Sequence, residues 1–307
     1  MHTVSRYICS RVRNILLAAA AFAAFAAACP LPAESFEIIV VKSAELKPYE
    51  EVLRGIRDSC DCTVRELKLQ NGDGSENILK KRSTDTVIAI GTSAFKKVRE
   101  IQSLPVIYTM VIPSETAGPL RPNISGVSMD SDPAEAISSM MDMFPKAKRI
   151  GVIYDPRYTA AFVGEAVKTA DAVGVELVVK QAHDQRDIPR LVDEMRNKID
   201  VLWMLPDPTV ITSVMVEYML QFSFHYNVPI FSFAKKYVEL GAVAALVVDP
   251  YAIGVQAGEI VKTLSAGRKD AIRAYARSPH LTINTKVAAK MGLKIKDEIL
   301  KRADKIE

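Results

Sequence analysis

The chain has 307 residues, of which 49% are apolar and 25% are charged. That length and composition allow a large buried core and two α/β lobes, and they exclude intrinsic disorder as the default. Residues 1–33 hold three of the 40 basic residues and none of the 36 acidic ones, so without them the net charge falls from +4 to near +1. That charge excludes the strong positive field that nucleic-acid binding normally requires.

Residues 1–33 have the pattern of a secretory signal peptide. Three arginines precede an unbroken apolar run at residues 15–28, and no acidic residue occurs before Glu34. The run has 14 residues, whereas a helix needs about 20 to span a bilayer. The pattern therefore favours a cleaved signal over a permanent transmembrane anchor.

Two cleavage points would give different mature proteins. Cleavage after Ala33 would release a soluble periplasmic protein that starts at Glu34. Alternatively, the stretch from Ala26 to Cys29 is a lipobox, and Cys29 carries a lipid. We expect the soluble periplasmic form, with the lipid-anchored form as the alternative.

From residue 36 onward, short β-branched apolar runs alternate with amphipathic stretches of helical period, which predicts a parallel sheet with helices on both faces. In the first set, strands are predicted at residues 37–41, 63–68, 86–90 and 105–111. Helices are predicted near Pro48, at residues 75–81 and at residues 93–101.

Residues 113–133 are rich in Pro, Gly, Ser and Asn, apart from a short extended piece at 124–127, and are predicted to cross between lobes. The second set has predicted strands at 149–154, 176–181, 201–205, 229–233 and 244–249, and helices at 133–144, 158–173, 187–198 and 209–226. A helix at 251–265, a strand at 281–284 and an amphipathic tail follow. The predicted fold is α/β, with two doubly wound parallel-sheet lobes joined by a hinge.

Ligands of open parallel sheets bind beyond the carboxyl ends of the strands, so the residues after each predicted strand are candidate ligand contacts. In the first set they are Thr92, Ser93, Tyr108 and Thr109. In the second set they are Asp155, Tyr158, Asp207, Thr209, Ser232, Phe233, Asp249 and Tyr251.

One group of candidates suits an anion. Thr92 and Ser93 follow Gly91 at a predicted helix N-terminus, where backbone N–H groups and the helix dipole favour a carboxylate. Alternatively, Ser93 only caps its helix.

A second group suits a cation. Asp155, Asp207 and Asp249 have no Lys or Arg partner suggested by the sequence, so they predict a site for an ammonium group; alternatively, each caps a helix before a proline. Both groups together predict a zwitterion such as an amino acid, with aromatic walls from Tyr108, Tyr158, Phe233 and Tyr251. On this hypothesis Asp207→Ala abolishes ligand binding without changing the melting temperature of the unliganded protein.

Patterns of catalysis and metal binding do not occur in the sequence. It has neither a Gly-x-Ser-x-Gly elbow nor a His-Glu-x-x-His helix, and its histidines are scattered. Cys60 and Cys62 lack a nearby histidine for a zinc site, and because a bridge across one residue would be strained, we expect two free thiols. We therefore expect no enzymatic activity, catalytic residue, metal or cofactor.

Four stretches, at residues 87–94, 122–128, 144–156 and 249–258, follow one another in an order and spacing that cover nearly all of the mature chain. They resemble ABC-type substrate-binding proteins related to the tryptophan- and tyrosine-binding ones. The resemblance implies the type I periplasmic binding protein fold. It also implies a first lobe of residues 36–125 plus 250–277 and a second lobe of residues 126–249 plus 278–307.

The resemblance further implies the function, an extracytoplasmic solute-binding protein of an ABC importer. Its ligand contacts would include Thr92, Ser93, Asp155, Asp207 and Asp249. The expected partners are a small-molecule ligand and an ABC permease with its ATPase subunit, but no nucleic acid, and the membrane is contacted only through that partner or a lipid on Cys29. We expect a monomer. The alternative is an exported ligand-sensing module for a membrane signalling protein.

Overall fold

The computed structural model describes residues 36–67, 84–111, 116 and 119–306. The predicted signal peptide, Cys29 and the helix predicted at residues 75–81 lie outside these residues. Within them the chain forms two β-sheets surrounded by helices.

The strands, in chain order, are β1 (Phe36–Lys42), β2 (Cys62–Leu67), β3 (Thr86–Ile90), β4 (Val106–Thr109), β5 (Ile124–Ser131), β6 (Arg149–Tyr154), β7 (Glu176–Gln181), β8 (Val201–Trp203), β9 (Ile230–Ser232), β10 (Ala244–Val247), β11 (Arg273–Ala276), β12 (His280–Asn284) and β13 (Asp304–Ile306). The α-helices are α1 (Lys47–Ser59), α2 (Thr92–Val98), α3 (Pro133–Met143), α4 (Pro156–Ala172), α5 (Ile188–Glu194), α6 (Ser213–Tyr226), α7 (Lys235–Leu240), α8 (Pro250–Ser265), α9 (Thr285–Lys290) and α10 (Asp297–Arg302). A short 3₁₀ turn, Gln185–Asp187, precedes α5.

The first sheet has the strand order β11-β5-β4-β3-β1-β2, and the second has the order β13-β12-β10-β9-β8-β6-β7. From β1 through β3, β4 and β5 to β11, neighbouring strands of the first sheet are parallel. The second sheet is parallel except where β10 pairs with β12. This arrangement confirms the predicted α/β class.

Both faces of the second sheet are covered. Successive residues of β6 point to opposite faces, and accordingly Val152 belongs to one buried apolar cluster whereas Ile153 belongs to another. Buried parallel strands are continuous apolar runs for this reason. All five residues of β3 are buried, which explains why its sequence predicted a strand with the correct bounds.

Several predicted bounds are wrong, each for a local reason. β4 stops at Thr109 because Met110 has a positive φ of 53°, and α6 begins at Ser213 rather than Thr209 because Thr212 caps it. In the opposite direction, β5 continues four residues beyond the predicted piece at 124–127. The sequence did not predict α7, β11 or β13, which are short elements.

Asp-Pro dipeptides begin three of the longer helices. Asp132, Asp155 and Asp249 are the N-caps of α3, α4 and α8, and each side chain accepts a hydrogen bond from the backbone N–H two residues on. The proline that follows occupies the first helical position, where its missing N–H costs nothing. This confirms the predicted caps at Asp155 and Asp249.

Helices α1 and α8 pack with their backbones in contact. A Cβ atom added to Gly55 would lie 2.2 Å from the carbonyl oxygen of Tyr251, and one added to Gly254 would lie 2.1 Å from that of Val52. A side chain at Gly258 would meet the Ser59 hydroxyl at 1.9 Å. Close approach of the two backbones therefore requires glycine at Gly55 and Gly254, whereas a side chain at Gly258 would displace the Ser59 hydroxyl.

Cys60 and Cys62 form a disulfide, so the expectation of two free thiols is wrong. Cys60 ends α1 with an extended backbone, and Cys62 begins β2. The chain turns between them and brings their Cα atoms to 5.3 Å, which is within the range that a disulfide can span. The prediction failed because sequence spacing alone does not report this turn.

Three connections link the sheets within the described residues. β5 of the first sheet leads to α3 and β6, β10 of the second leads to α8, and β11 of the first leads to β12 of the second. β5 runs across the predicted lobe boundary at 125/126, although all of it belongs to the first sheet. The division into lobes at the residues given above stays a prediction.

Candidate functional site

Asp155 lies at the end of β6, and its carboxylate is fully buried. Oδ1 accepts hydrogen bonds from the backbone N–H and Nε of Arg157, both at 2.9 Å. Oδ2 accepts one from the hydroxyl of Thr209 at 2.7 Å and pairs with the Arg157 guanidinium. Hydrogen bonding to Arg157 lowers the pKa of Asp155 to about 2, although burial alone would raise it.

Asp207 is also fully buried and joins the same cluster. Its Oδ2 accepts hydrogen bonds from the Asp155 backbone N–H at 2.9 Å and from the Thr159 hydroxyl at 2.8 Å. Its Oδ1 accepts from the backbone N–H groups of Thr209 at 2.9 Å and Val210 at 3.3 Å. Both oxygens of Asp207 are therefore fully used within the protein.

These contacts correct two sequence-based interpretations. Asp155 has an arginine partner two residues on, and Asp207 caps a turn rather than an α-helix, because α6 begins only at Ser213. The cluster of Asp155, Asp207 and Thr209 is held together by its own hydrogen bonds. A ligand-binding role for these three residues stays a prediction.

Three other candidates lie at the starts of α4 and α8. Tyr158 packs against the Arg157 guanidinium, 5.3 Å from its ring centroid. Asp249 is half-buried, and its Oδ1 accepts from the Tyr251 N–H at 2.9 Å. The Tyr251 hydroxyl donates to Asp58 near the end of α1 at 3.1 Å, so Tyr251 packs against α1.

Beyond the carboxyl end of β3, the start of α2 is capped by a residue that the sequence did not indicate. Gly91 is the N-cap, with a φ of 92°, and the hydroxyl of Ser43 accepts a hydrogen bond from the Ala94 N–H at 2.9 Å. Ser93 is exposed at the second helical position, so the interpretation that it caps the helix is wrong. Ser43 directly follows β1, and it was missed because the predicted strand ended one residue too early, before Lys42.

Tyr108 and Thr109 are buried in the first sheet. The Tyr108 ring lies 5.4 Å from that of Phe95 and covers Gly126, where an added Cβ would be 2.4 Å from the ring. The Thr109 hydroxyl donates to the Ala89 carbonyl at 3.4 Å. Both side chains therefore contribute to the core in this structure, and their predicted contact with a ligand is untested.

Strand ends of both sheets line a single cavity, which we call the inter-sheet cavity. The end of β5 contributes Met129, Asp130 and Ser131, and the ends of β8 and β9 contribute Trp203 to Pro206 and Phe231 to Phe233. Its volume is about 20 Å³, which is room for about one water molecule. An amino acid would enter only if the cavity widened.

Aromatic side chains form one wall of the inter-sheet cavity. Phe162 of α4 contacts Trp203 edge-on, with centroids 5.7 Å apart, and contacts Tyr275 of β11 at 6.1 Å. The Tyr275 hydroxyl donates to Glu165 at 2.6 Å. Burial and this hydrogen bond raise the pKa of Tyr275, so it stays a neutral donor near neutral pH.

Two polar groups of the inter-sheet cavity have unused hydrogen-bonding capacity. Ser232 is 1% exposed, and its hydroxyl has no partner among the described residues. Asp130 is half-buried, and its Oδ2 accepts a hydrogen bond from the Ser128 hydroxyl at 3.0 Å. Burial raises the pKa of Asp130 to about 6, against the opposing effect of Ser128.

Asp130 was missed because the sequence pattern ended its strand too early. The apolar alternation stops at Val127, whereas β5 continues through Ser131. Three of the four residues that extend the strand, Ser128, Asp130 and Ser131, are polar, and they precede the connection to the second sheet. A longer reading of β5 would have placed Asp130 at a strand end.

Comparison with known proteins assigns the family. A model described as "ABC transporter substrate binding protein" matches residues 65–307. The chain belongs to this family. The tyrosine-binding protein of Clostridioides difficile (strain R20291) is 25% identical over 193 residues, which are 60% of this chain and 55% of that protein. The chain therefore spans little more than half the length of that relative.

Solved structures resemble this substrate-binding protein over 89% of its chain. One is the ligand-free, open structure of a substrate binding protein with adhesive properties from Clostridium difficile, with a TM-score of 0.66, 19% identity and 99% of that chain covered. Another is the ABC domain from Streptococcus pneumonia in complex with L-Trp, with a TM-score of 0.60, 21% identity and its whole chain covered. These likenesses show the fold, which is that of type I periplasmic binding proteins.

The described part of the substrate-binding protein has two further properties. None of its helices combines the length and the apolar character that crossing a membrane requires. Nor do three His, Cys, Asp or Glu side chains come together there as metal ligands. Of the sequence-based candidates, Ser232 and Phe233 line the inter-sheet cavity.

Proposed function

We propose that this chain is the extracytoplasmic receptor of an ABC importer and that it binds an amino acid between its two sheets. The inter-sheet cavity supports this most directly, because ends of parallel strands from both sheets line it, which is where α/β folds bind ligands. Family membership supports the role in substrate binding.

The choice of an amino acid rests on the walls of the inter-sheet cavity and on the relatives. Phe162, Trp203 and Phe233 offer aromatic surface, while Asp130 and Ser232 offer polar groups. Such a mixture suits a ligand with an apolar side chain and a charged end. The relatives include a tyrosine-binding protein and a structure in complex with L-Trp, so aromatic amino acids are the first ligands to test.

The binding role also implies a location and partners. We infer that the N-terminal signal directs the chain to the periplasm, as a soluble protein from Glu34 or as a lipoprotein from Cys29. Substrate-binding proteins of this family act outside the cytoplasm. Delivery would be to an ABC permease and its ATPase subunit, without chemical change of the ligand.

A ligand screen on the exported protein tests the proposal. The full-length gene is expressed, the processed protein is purified, and its melting is followed with the twenty L-amino acids, their D-enantiomers, sugars and nucleosides. A ligand at 100 times its dissociation constant adds about 2.7 kcal/mol of stability, and we expect this for L-tyrosine or L-tryptophan. The intact mass of the preparation distinguishes a start at Glu34 from a lipidated Cys29.

Two results would contradict the proposal. If a sugar or nucleoside stabilises the protein and no amino acid does, the ligand class is wrong. If a stabilising compound is converted to a product during incubation, the protein is an enzyme rather than a receptor. The D-enantiomers are the matched control, because they share composition and charge with the expected ligands but not their geometry.

A further inference from the structure

Within the proposed function, on which this inference rests, the position of the ligand's ammonium group can be deduced from the unused polar groups of the inter-sheet cavity. We propose that Asp130 and Ser232 hold that ammonium group, with Asp130 as its counter-ion and Ser232 as an additional acceptor. They lie on different sheets, at the end of β5 and the end of β9. Binding of one ammonium group to both would join the two halves of the molecule.

The carboxylate of Asp130 has capacity for a ligand. Its Oδ2 accepts a hydrogen bond from the Ser128 hydroxyl at 3.0 Å. No Lys or Arg among the described residues forms an ion pair with it. Oδ1 has no hydrogen-bond partner in the described part of the chain. An ionised carboxylate offers about four acceptor positions, so an ammonium group can bind without displacing a contact.

Ser232 supplies independent support. Its side chain is almost completely buried, and its hydroxyl has no partner within the described residues. Leaving a buried hydroxyl without a hydrogen bond is unfavourable, and in a binding protein the ligand can satisfy it. A hydroxyl accepts from an ammonium N–H through a lone pair, so Ser232 and Asp130 are chemically matched to the same group.

The carboxylates predicted from the sequence do not offer this capacity. Both oxygens of Asp207 accept two hydrogen bonds each from the protein. Asp155 already has a cation, the Arg157 guanidinium. An ammonium group at either position would have to displace existing contacts, whereas at Asp130 it would add one.

The surroundings of Asp130 leave it as the titrating group of the inter-sheet cavity near pH 6. Asp130 acts electrostatically on Tyr108 and Tyr275, and the other charged neighbours of these two tyrosines are Arg273, Asp132 and Glu165. Burial raises the pKa of both tyrosines, and arginine stays charged. When an ammonium group binds below pH 6, Asp130 releases its proton to the solvent.

Paired probes test the proposal. L-tyrosine is compared with 3-(4-hydroxyphenyl)propionate, and L-tryptophan with 3-(indol-3-yl)propionate, which differ from them only by loss of the ammonium group. Titration calorimetry measures each affinity on the wild-type protein and on Asp130→Asn. We expect Asp130→Asn to weaken binding of the amino acid by about 10- to 100-fold, since an ion-paired hydrogen bond is lost. Its affinity for the desamino probe should change by less than about 3-fold.

Asp132→Asn is the matched control. It makes the same substitution two residues away, on an exposed side chain that caps α3 by accepting from the Ala134 N–H at 2.7 Å. Asparagine is an equally good N-cap, so amino-acid affinity should stay within about 2-fold of the wild-type value. Ser232→Ala should weaken amino-acid binding by about 3- to 10-fold, with little effect on the desamino probe.

A pH series gives a second readout. Wild-type affinity for the amino acid should fall as the pH drops from 7 to 5, by up to about tenfold per pH unit below 6. Binding of the amino acid near pH 6 should release protons. Titration calorimetry in buffers of different ionisation enthalpy counts them. Both effects should vanish in Asp130→Asn.

The outcomes separate the inference from the proposed function. If the wild-type protein binds no amino acid, the proposed function fails. If it binds amino acids but Asp130→Asn retains the preference over the desamino probe, the ammonium group lies elsewhere and this inference is wrong. Persistence of the pH dependence in Asp130→Asn would overturn it in the same way.

Discussion

Asp207 and Asp130 are both carboxylates beside the ends of parallel strands, but their surroundings differ. Asp207 is fully buried and receives four hydrogen bonds from the protein. Asp130 lines a cavity and receives one hydroxyl hydrogen bond. The position of an acidic residue at a strand end therefore does not decide its role. What separates the two carboxylates is the number of acceptor positions that the protein itself already fills.

The pKa values of buried carboxylates report the same difference. Asp155, which belongs to the cluster of Asp207, has its pKa lowered to about 2, chiefly by Arg157. The pKa of Asp130 is raised to about 6 by burial. The protein thus stabilises the charged form of Asp155, whereas at Asp130 burial disfavours the charged form more than the Ser128 hydroxyl favours it.

The largest change in unfolding free energy is expected for Asp207→Ala. Removal of this side chain leaves the Asp155 N–H buried without an acceptor and leaves the Thr159 hydroxyl with only a 3.5 Å contact to the Asp155 carbonyl. We therefore expect a loss of about 3–5 kcal/mol of unfolding free energy, measured by urea denaturation. This reverses the sequence-based expectation of an unchanged melting temperature.

Asp249→Ala is the comparison for that experiment. It removes the same side chain from another Asp-Pro dipeptide, but there only the helix cap on the Tyr251 N–H is lost. We expect a cost of about 1 kcal/mol. Equal losses at the two positions would mean that the buried cluster adds nothing beyond an ordinary cap.

A smaller change in unfolding free energy, which depends on pH, is expected for Arg157→Met. The lowered pKa of Asp155 contributes stability that is present above pH 4 and lost as the pH falls from about 4 to 2. Without the guanidinium this contribution shrinks, so the variant should be less stable than the wild type at pH 7 and should approach it near pH 2. Acid denaturation followed by circular dichroism measures both.

Arg186→Met provides a matched control. Arg186 pairs with Asp184 across the same spacing, but that carboxylate is 46% exposed, whereas Asp155 is 0% exposed. Solvent screens the exposed pair, so its loss should barely change the stability. A similar loss in both variants would show that burial of Asp155 is not what makes its ion pair matter.

The smallest expected effect is an increase in unfolding free energy, for Asp130→Asn. Because burial raises the pKa of Asp130 above its unfolded value of 3.8, the unliganded wild-type protein should lose stability as the pH rises from about 4 to 6. Asp130→Asn removes that loss, and we expect it to stabilise the unliganded protein by on the order of 1 kcal/mol at pH 8. Urea denaturation at pH 4 and pH 8 tests this, since the gain should be absent at pH 4. A variant that is less stable than the wild type at pH 8 would show that Asp130 supports the fold.

The sequence predicted the fold better than the site because the two depend on different signals. Continuous apolar runs located β3 and β6 at their observed bounds, since strands buried on both faces are apolar almost throughout. Short elements such as β11 and α7 were missed, because their placement depends on tertiary pairing. The disulfide was missed because it depends on how the chain turns between α1 and β2.

The candidate site was only partly predictable for a related reason. Examination of the carboxyl ends of the predicted strands located Ser232 and Phe233, which line the inter-sheet cavity. The same reading could not tell that Asp207 is saturated, because Thr159, one of its partners, comes from another element. It also could not reach Asp130, which lies in a polar extension of β5.

The glycine contacts between α1 and α8 have a mechanical consequence. With no side chains between the two backbones, these helices cannot slide past each other and move as one piece with the first sheet. Any change in the angle between the two sheets must therefore be absorbed by the short links that join them, at Asp132, at residues 277–279 and at Val248 and Asp249. A change in that angle would therefore be confined to a few backbone torsions and would leave the packing inside the first half unchanged.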